Sequence, residues 1–410
     1  MRYLIITFLL LSSISGQNIL WMKTYPCHFF ATPAVAIDQN QDVIVGYYPW
    51  LIRYTSFGDI VWAIDKETEI RDVAIDSERN IILLFYEERT VEKCNYLGEP
   101  IWRKRLNFHP WKLTIDRNRN IFVLGGLNQV HNITTMKLTP NGDSLWIRSY
   151  WSGIHGAHFP GDIAINQENS AVITGGIPVI SDWDILTLVY NSEGETLWSR
   201  LYDTSGGYWD VGSGIAIDTE GNIIVTGSTE FVSNCEIYGI ILKYDKNGTL
   251  LWVKIDTFAH KFEAVACDYQ NNIFLGGWKD RRKELWSKDF VITKYDKDGN
   301  FIWRVIYDNN GHDDNLTDLA VDSFGNVVVV GTTYGDTSIV CLTMKLEGTS
   351  FIEEKNKGNF IKSSKISLPS FIEIYDVCGK RLKKIKERGI YFLKAISKRK
   401  LEIKKFIFLK

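Results

Sequence analysis

One phrase recurs seven times along the chain and constrains the fold more than any other feature. The copies are Ala34-Val-Ala-Ile-Asp38, Asp72-Val-Ala-Ile-Asp76, Lys112-Leu-Thr-Ile-Asp116, Asp162-Ile-Ala-Ile-Asn166, Gly214-Ile-Ala-Ile-Asp218, Ala264-Val-Ala-Cys-Asp268 and Asp318-Leu-Ala-Val-Asp322. Their closing residues lie 38, 40, 50, 52, 50 and 54 positions apart. A turn such as Thr219-Glu-Gly-Asn222 follows, then an apolar strand ending in or near Gly, as in Ile223-Ile-Val-Thr-Gly227. A second phrase keeps step with the first. A strand such as Gly239-Ile-Ile-Leu-Lys-Tyr244 runs into Asp245-Lys-Asn-Gly248 and then a Trp-bearing strand, Leu250-Leu-Trp-Val-Lys254. Trp21, Trp62, Trp102, Trp146, Trp198, Trp252 and Trp303 hold this position, seven again.

Each unit therefore carries four short strands, A to D from the inside outward. Four antiparallel strands at a period of 40 to 50 residues are the signature of a propeller blade. The middle residue of strand A is Ala in six of the seven copies, which suits the narrow space beside a central channel. Asn-Gly and Asp-Gly between C and D supply the positive φ of a tight hairpin. The Trp of strand D is placed to cover the apolar face between neighbouring blades. Asn18 to Tyr25 reads as a lone D strand, while the seventh A, B and C strands end at Leu346 with no Trp strand behind them. The N-terminal strand is expected to complete the last blade, leaving no free sheet edge. The competing architecture, an open solenoid of blades, does not need such a split unit. The expected fold class is all-β, a seven-bladed β-propeller over residues 17–346, with a small C-terminal β-rich tail.

The stretch Ile215 to Gly227, continued by Lys243 to Trp252, closely resembles the bacterial SBBP-type β-propeller repeat. The resemblance covers residues 18 to 346 and is best in blades 4 to 7. It implies an exported or cell-surface protein and brings no catalytic residues. The Asp-x-x-Gly-x-x-Leu-Trp hairpin is also similar to the quinoprotein repeat, whose rings have eight blades and whose enzymes carry a vicinal disulfide; neither is found here. Propeller lyases that open cyclic antibiotics share the Asp-x-x-Gly-Asn-Ile phrase, and their catalytic pattern is not located in this sequence.

The two ends differ in charge. Lys355 to Lys410 holds 17 Lys and Arg against four Asp and Glu, and the remainder holds 30 against 45. A large acidic segment repels phosphate, so no nucleic-acid partner is expected. Residues 1–16 read as a signal peptide: Arg2, an apolar run from Tyr3 to Leu11, and small residues at Ser13 and Ser15. No later run is long enough for a transmembrane helix. A secreted or cell-surface location and a monomer are the expectations. Residues 347–367 read as a Lys-rich linker and 368–410 as the tail. Ile374-Tyr-Asp-Val-x-Gly-Lys-Arg381, Gly389-Ile-Tyr-Phe392 and the terminal Lys-x-Ile-x-Leu-Lys resemble the sorting domain of the type IX (Por) secretion system, although its usual Asn-Pro opening is missing. That resemblance implies a sorting machinery as partner. The six cysteines, Cys27, Cys94, Cys235, Cys267, Cys341 and Cys378, are scattered singly, so neither a disulfide framework nor a zinc site is expected.

No catalytic motif is present, and no cofactor or metal is expected. Asp296 to Asn300 opens like a calcium loop but lacks the closing glutamate, and reads as a hairpin turn. Six of the seven histidines, His28, His109, His155, His158, His260 and His312, fall between strand D of one blade and strand A of the next; His131 falls between B and C. These loops emerge on one face of a propeller, together with aromatics such as Trp111, Trp151, Phe159 and Trp209 and acids such as Asp210, Glu263 and Asp313. The candidate ligand-binding residues are His109, Trp111, His155, His158, Trp209, His260, His312 and Asp313. Aromatic faces suit carbohydrate, and loops on a rigid scaffold suit recognition. The expected function is an exported binding module for protein or glycan. Two alternatives stand beside it: an exported lyase or hydrolase using a histidine base, and a purely structural surface repeat.

Overall fold

A computed structural model describes residues 17–27, 31–126, 132–179, 182–204, 209–231, 236–280, 288–309, 311–334 and 338–348, and the backbone of strands within 372–408. The signal segment and most of the linker read from the sequence lie outside the described residues. The chain divides into two compact units, Met1–Phe351 and Ile352–Lys410.

The first unit is a ring of seven four-stranded antiparallel sheets. The inner strands A are Ala34–Ile37, Ile70–Ile75, His109–Ile115, Phe159–Ile165, Val211–Ile217, Lys261–Cys267 and Asp314–Val321 in blades 1 to 7. Strands B and C follow in each blade, for example Ile223–Phe231 and Glu236–Tyr244 in blade 5. Blade 7 takes its D strand from the other end of the chain: Ile19–Pro26 pairs antiparallel with Ile339–Leu346. This is the closure the repeat register predicts. Strands B are buried over at least their first four residues because both of their faces meet neighbouring blades, whereas strands D of blades 1 to 4 mix exposed and half-buried residues.

The repeated residues have physical roles. The Asp that closes strand A accepts the amides two and four residues on, as Asp218 Oδ1 does from Glu220 (3.0 Å) and Asn222 (2.8 Å), which fixes the A–B turn. Its second oxygen meets a buried Lys of strand C, Lys243 at 3.0 Å. The same pairing joins Asp76 to Lys93, Asp268 to Lys294 and Asp322 to Lys345. Blade 4 carries Asn166 in place of the acid, and Val189 occupies the strand C position of the cation. Where no buried cation needs a counter-charge, an amide suffices to hold the turn. Six of the strand D tryptophans, Trp21, Trp62, Trp102, Trp146, Trp198 and Trp252, pack on the C–D turn of the next blade. Gly248 has φ +80°, and a Cβ there would meet the Trp198 ring at 2.9 Å, so only glycine meets both demands.

The second unit holds a four-stranded sheet, with Arg381–Leu382, Ile372–Tyr375, Gly389–Ser397 and Lys400–Phe408 in that order across it. No helix among the described residues is long and apolar enough to cross a membrane.

Candidate functional site

Strand A of blades 2 to 7 carries a β-bulge against strand B, between positions 70/72, 110/112, 160/162, 212/214, 262/264 and 316/318. A bulge adds one residue and re-aims its side chain. The extra residues are Arg71, Trp111, Gly161, Ser213, Glu263 and Thr317, and all six line one funnel-shaped cavity of about 420 Å³. Pro33 holds the corresponding place in blade 1 and lines it too, so every blade contributes one wall residue.

The walls are chemically mixed. The Arg71 guanidinium lies 3.8 Å from the centroid of Trp111 and donates to Thr32 Oγ1, which donates in turn to Glu69. Burial lowers the Arg71 pKa against the pull of Glu69. Opposite, Glu263 accepts from Trp278 Nε1 at 3.2 Å and pairs with Lys261 at 2.9 Å. Trp209 stacks on Trp183 with ring centroids 4.3 Å apart, and Phe159 lies 6.3 Å from Trp183. Trp209 and Phe159 keep 38% and 39% of their surfaces in solvent, high for large apolar rings.

A charged cluster joins the inner strands at the throat of the funnel, with Lys112 among the lining residues. Lys112 Nζ lies 3.6 Å from Asp72 and 3.9 Å from Asp318, linking blades 2, 3 and 7. Each nearby acid also grips the next blade: Asp72 accepts from the Leu113 amide (2.7 Å), Asp162 from Ile215 (3.1 Å) and Asp318 from Val35 (3.0 Å). Burial, opposed by Lys112 and reinforced by Asp318, pushes the Asp72 carboxyl up to about 7. Burial likewise raises Asp162. The surrounding carboxylates, Asp318 first, hold the Lys112 ammonium charged against its own burial.

The candidate residues read from the sequence divide into two groups. Trp111 and Trp209 line the funnel. None of the other six is among its lining residues. His158 is buried, with Nε2 3.0 Å from Ser152 Oγ and Nδ1 3.1 Å from Gly156 O, and it braces its own loop. His260 accepts the Asp280 amide at 2.7 Å, and burial lowers its pKa. His109 opens strand A of blade 3 beside Tyr86, and burial with Arg89 lowers its pKa. His155 is exposed beside Trp151. Asp313 accepts the Lys288 amide at 2.8 Å, next to His312. His28 and His131 lie outside the described residues. Away from the funnel, Asp289, Asp308 and Asp314 bring one oxygen each within 4.8 Å of one another and are the described acids best placed to hold a cation. Arg71, Ser213, Glu263 and Thr317 were not singled out as ligand residues from the sequence. The signal was present: each wall residue stands five positions before the closing Asp or Asn of its repeat.

No family model matches the chain. An uncharacterised WD repeat-containing protein of Acanthamoeba polyphaga mimivirus is 28% identical over 181 residues, 44% of this chain; the match spans a tenth of that protein's length. Among solved structures, a streptogramin B lyase aligns with a TM-score of 0.55 and 13% identity, covering 79% of this chain and 97% of its own. A catalytically inactive virginiamycin B lyase from Staphylococcus aureus with quinupristin gives 0.53 and 12%, covering 79% and 99%. The WD40 β-propeller domain of Doa1 gives 0.56 and 11%, covering 82% and 98%. At these identities the likeness establishes the β-propeller fold alone.

Proposed function

We propose that the protein is an exported binding module that receives its ligand, a glycan, in the funnel on the D–A loop face. The observation that carries this reading is the lining of the cavity: three aromatic rings, Trp111, Phe159 and Trp209, interleaved with Arg71, Ser213, Glu263, Asn315 and Thr317. Sugar rings present apolar faces to stack and hydroxyls to bond, and a concave site with a few placed polar groups serves both. Export rests on the apolar N-terminal run and on the likeness of the tail to a type IX sorting domain. A lyase or hydrolase needs a proton acceptor beside its substrate. The described funnel lining contains no histidine, and its one carboxylate, Glu263, is engaged by Trp278 and Lys261. Binding is therefore favoured over chemistry.

The test is thermal shift and titration calorimetry of the purified full chain against a glycan panel. A ligand that binds only the folded state raises the melting temperature. Trp209→Ala and Trp111→Ala are each expected to weaken the binding about tenfold, ~1.4 kcal/mol. A flat panel, or both variants binding as the parent does, would sink the glycan reading; a response only to folded proteins would turn the site to a protein partner.

A further inference from the structure

Two of the cysteines meet across the seam that closes the ring. Cys27 directly follows the N-terminal strand Ile19–Pro26, and Cys341 lies in Ile339–Leu346, the strand that receives it. The register sets Tyr25 opposite Cys341 and Pro26 opposite Val340, and the Cys27 amide donates to Ile339 O at 3.3 Å. Side chains two apart share a strand face, so Cys27 and Cys341 lie diagonally on one side of the seam. Both pack into a single apolar cluster with Tyr25, Tyr47 and Tyr54. Cys27 is the neighbour whose thiol, after burial, acts on the Cys341 thiol. Cys94 and Cys267 belong to other clusters, each with no second cysteine in it.

We propose that Cys27 and Cys341 form a disulfide that turns the hydrogen-bonded closure of the propeller into a covalent one. The proposal rests on the export reading for its setting, since disulfides persist in oxidising compartments. The oxidant is an organic disulfide. Cys27, half-buried where Cys341 is 2% exposed, is the thiol an oxidant reaches first. Its thiolate attacks one sulfur of the oxidant, forming a mixed disulfide and releasing one thiol. The Cys341 thiolate then attacks the Cys27 sulfur, closing the ring and releasing the second thiol. Two protein thiols are oxidised and one disulfide is reduced to two thiols, so atoms and electrons balance. Burial raises the Cys341 thiol above its ordinary range, so the second step quickens as pH rises. The closed loop encloses nearly the whole propeller, and long loops restrict the unfolded chain most.

The experiment starts from purified, fully reduced full-length chain, incubated with oxidised glutathione at pH 8.5. Peptide mapping without reductant is expected to recover a Cys27–Cys341 cross-link, with loss of two titratable thiols. The melting temperature is expected to rise by roughly 5–10 °C in the parent and not in Cys27→Ser or Cys341→Ser, whose reduced melting points serve as their own baselines. Recovery of both cysteines in alkylated form, of glutathione alone on Cys27, or of a cross-link to Cys235 or Cys378 would overturn it. Oxidation of the purified protein is independent of where the chain resides. Export is read separately, by fractionating cells that express the chain with and without residues 1–16.

Discussion

Asp218 and Lys243 illustrate how a short repeated phrase encodes a contact between strands. The lysine keeps only 4% of its surface exposed, and an ammonium buried to that degree needs an acid. Removing the acid as Asp218→Ala leaves a buried unpaired charge and an unheld turn, and is expected to cost about 3–5 kcal/mol, read from urea unfolding midpoints. Blade 4 supplies the control. Its Asn166 and Val189 show that a turn-holding amide with an apolar partner is also a stable solution. The double change Asp218→Asn with Lys243→Val is therefore expected to recover most of the loss. A double variant as unstable as Asp218→Ala would show that the charge pair is not what the site needs. The closing Asp was conspicuous in the sequence. Its second role was not, because the lysine lies 25 residues away on strand C and only the sheet pairing brings it across.

The strand Ile19–Pro26 shows what an element gains by pairing at a distance. It supplies the outer edge of blade 7, and Trp21 on it donates to Ser56 O of blade 1 and packs on Gly58. One strand thus seals one blade and joins it to the next. Deleting residues 17–26 is expected to leave Ile339–Leu346 as an unpaired edge, a template for another chain. Size-exclusion chromatography should then report dimers or aggregates, and a monodisperse monomer of unchanged melting temperature would refute the closure as a stabilising device. This element was legible because a D strand without its A, B and C partners stood at one end and the converse at the other. The inner strands were legible as strands, but their bulges were not. A bulge is a mismatch between two strands, and the fixed offset of these residues from the closing Asp or Asn does not by itself say that strand B skips a partner there.

Across the whole molecule, charges from four blades converge in the throat. Asp72 titrates near 7 in the fold against an ordinary value of 3.8, chiefly through burial. Between those values the folded state holds a proton that the unfolded chain releases, so stability is greatest below the window and falls as pH rises through it, by up to ~1.4 kcal/mol per pH unit. Urea unfolding at pH 4.5 and 7.5 should show a larger loss in the parent than in Asp72→Asn; an equal loss in both would exclude the throat as the source. The sequence by itself determined the blade number, the strand order and the closure. The first two are local patterns repeated seven times, and repetition averages away the ambiguity of any single copy; the closure follows from the one D strand that the register leaves over at the start of the repeats. Only the tertiary structure decided which loop residues converge. The histidines cluster on the D–A side of the sequence repeats, yet none of the described ones lines the funnel: His158 braces its own loop, His260 holds the Asp280 amide, His109 lies beside Tyr86 and His155 is exposed. The wall is built instead by bulged residues that share only a position in the repeat and no common side-chain chemistry. The meeting of Cys27 with Cys341 has the same cause: two residues at opposite ends of the propeller become neighbours only when the ring shuts.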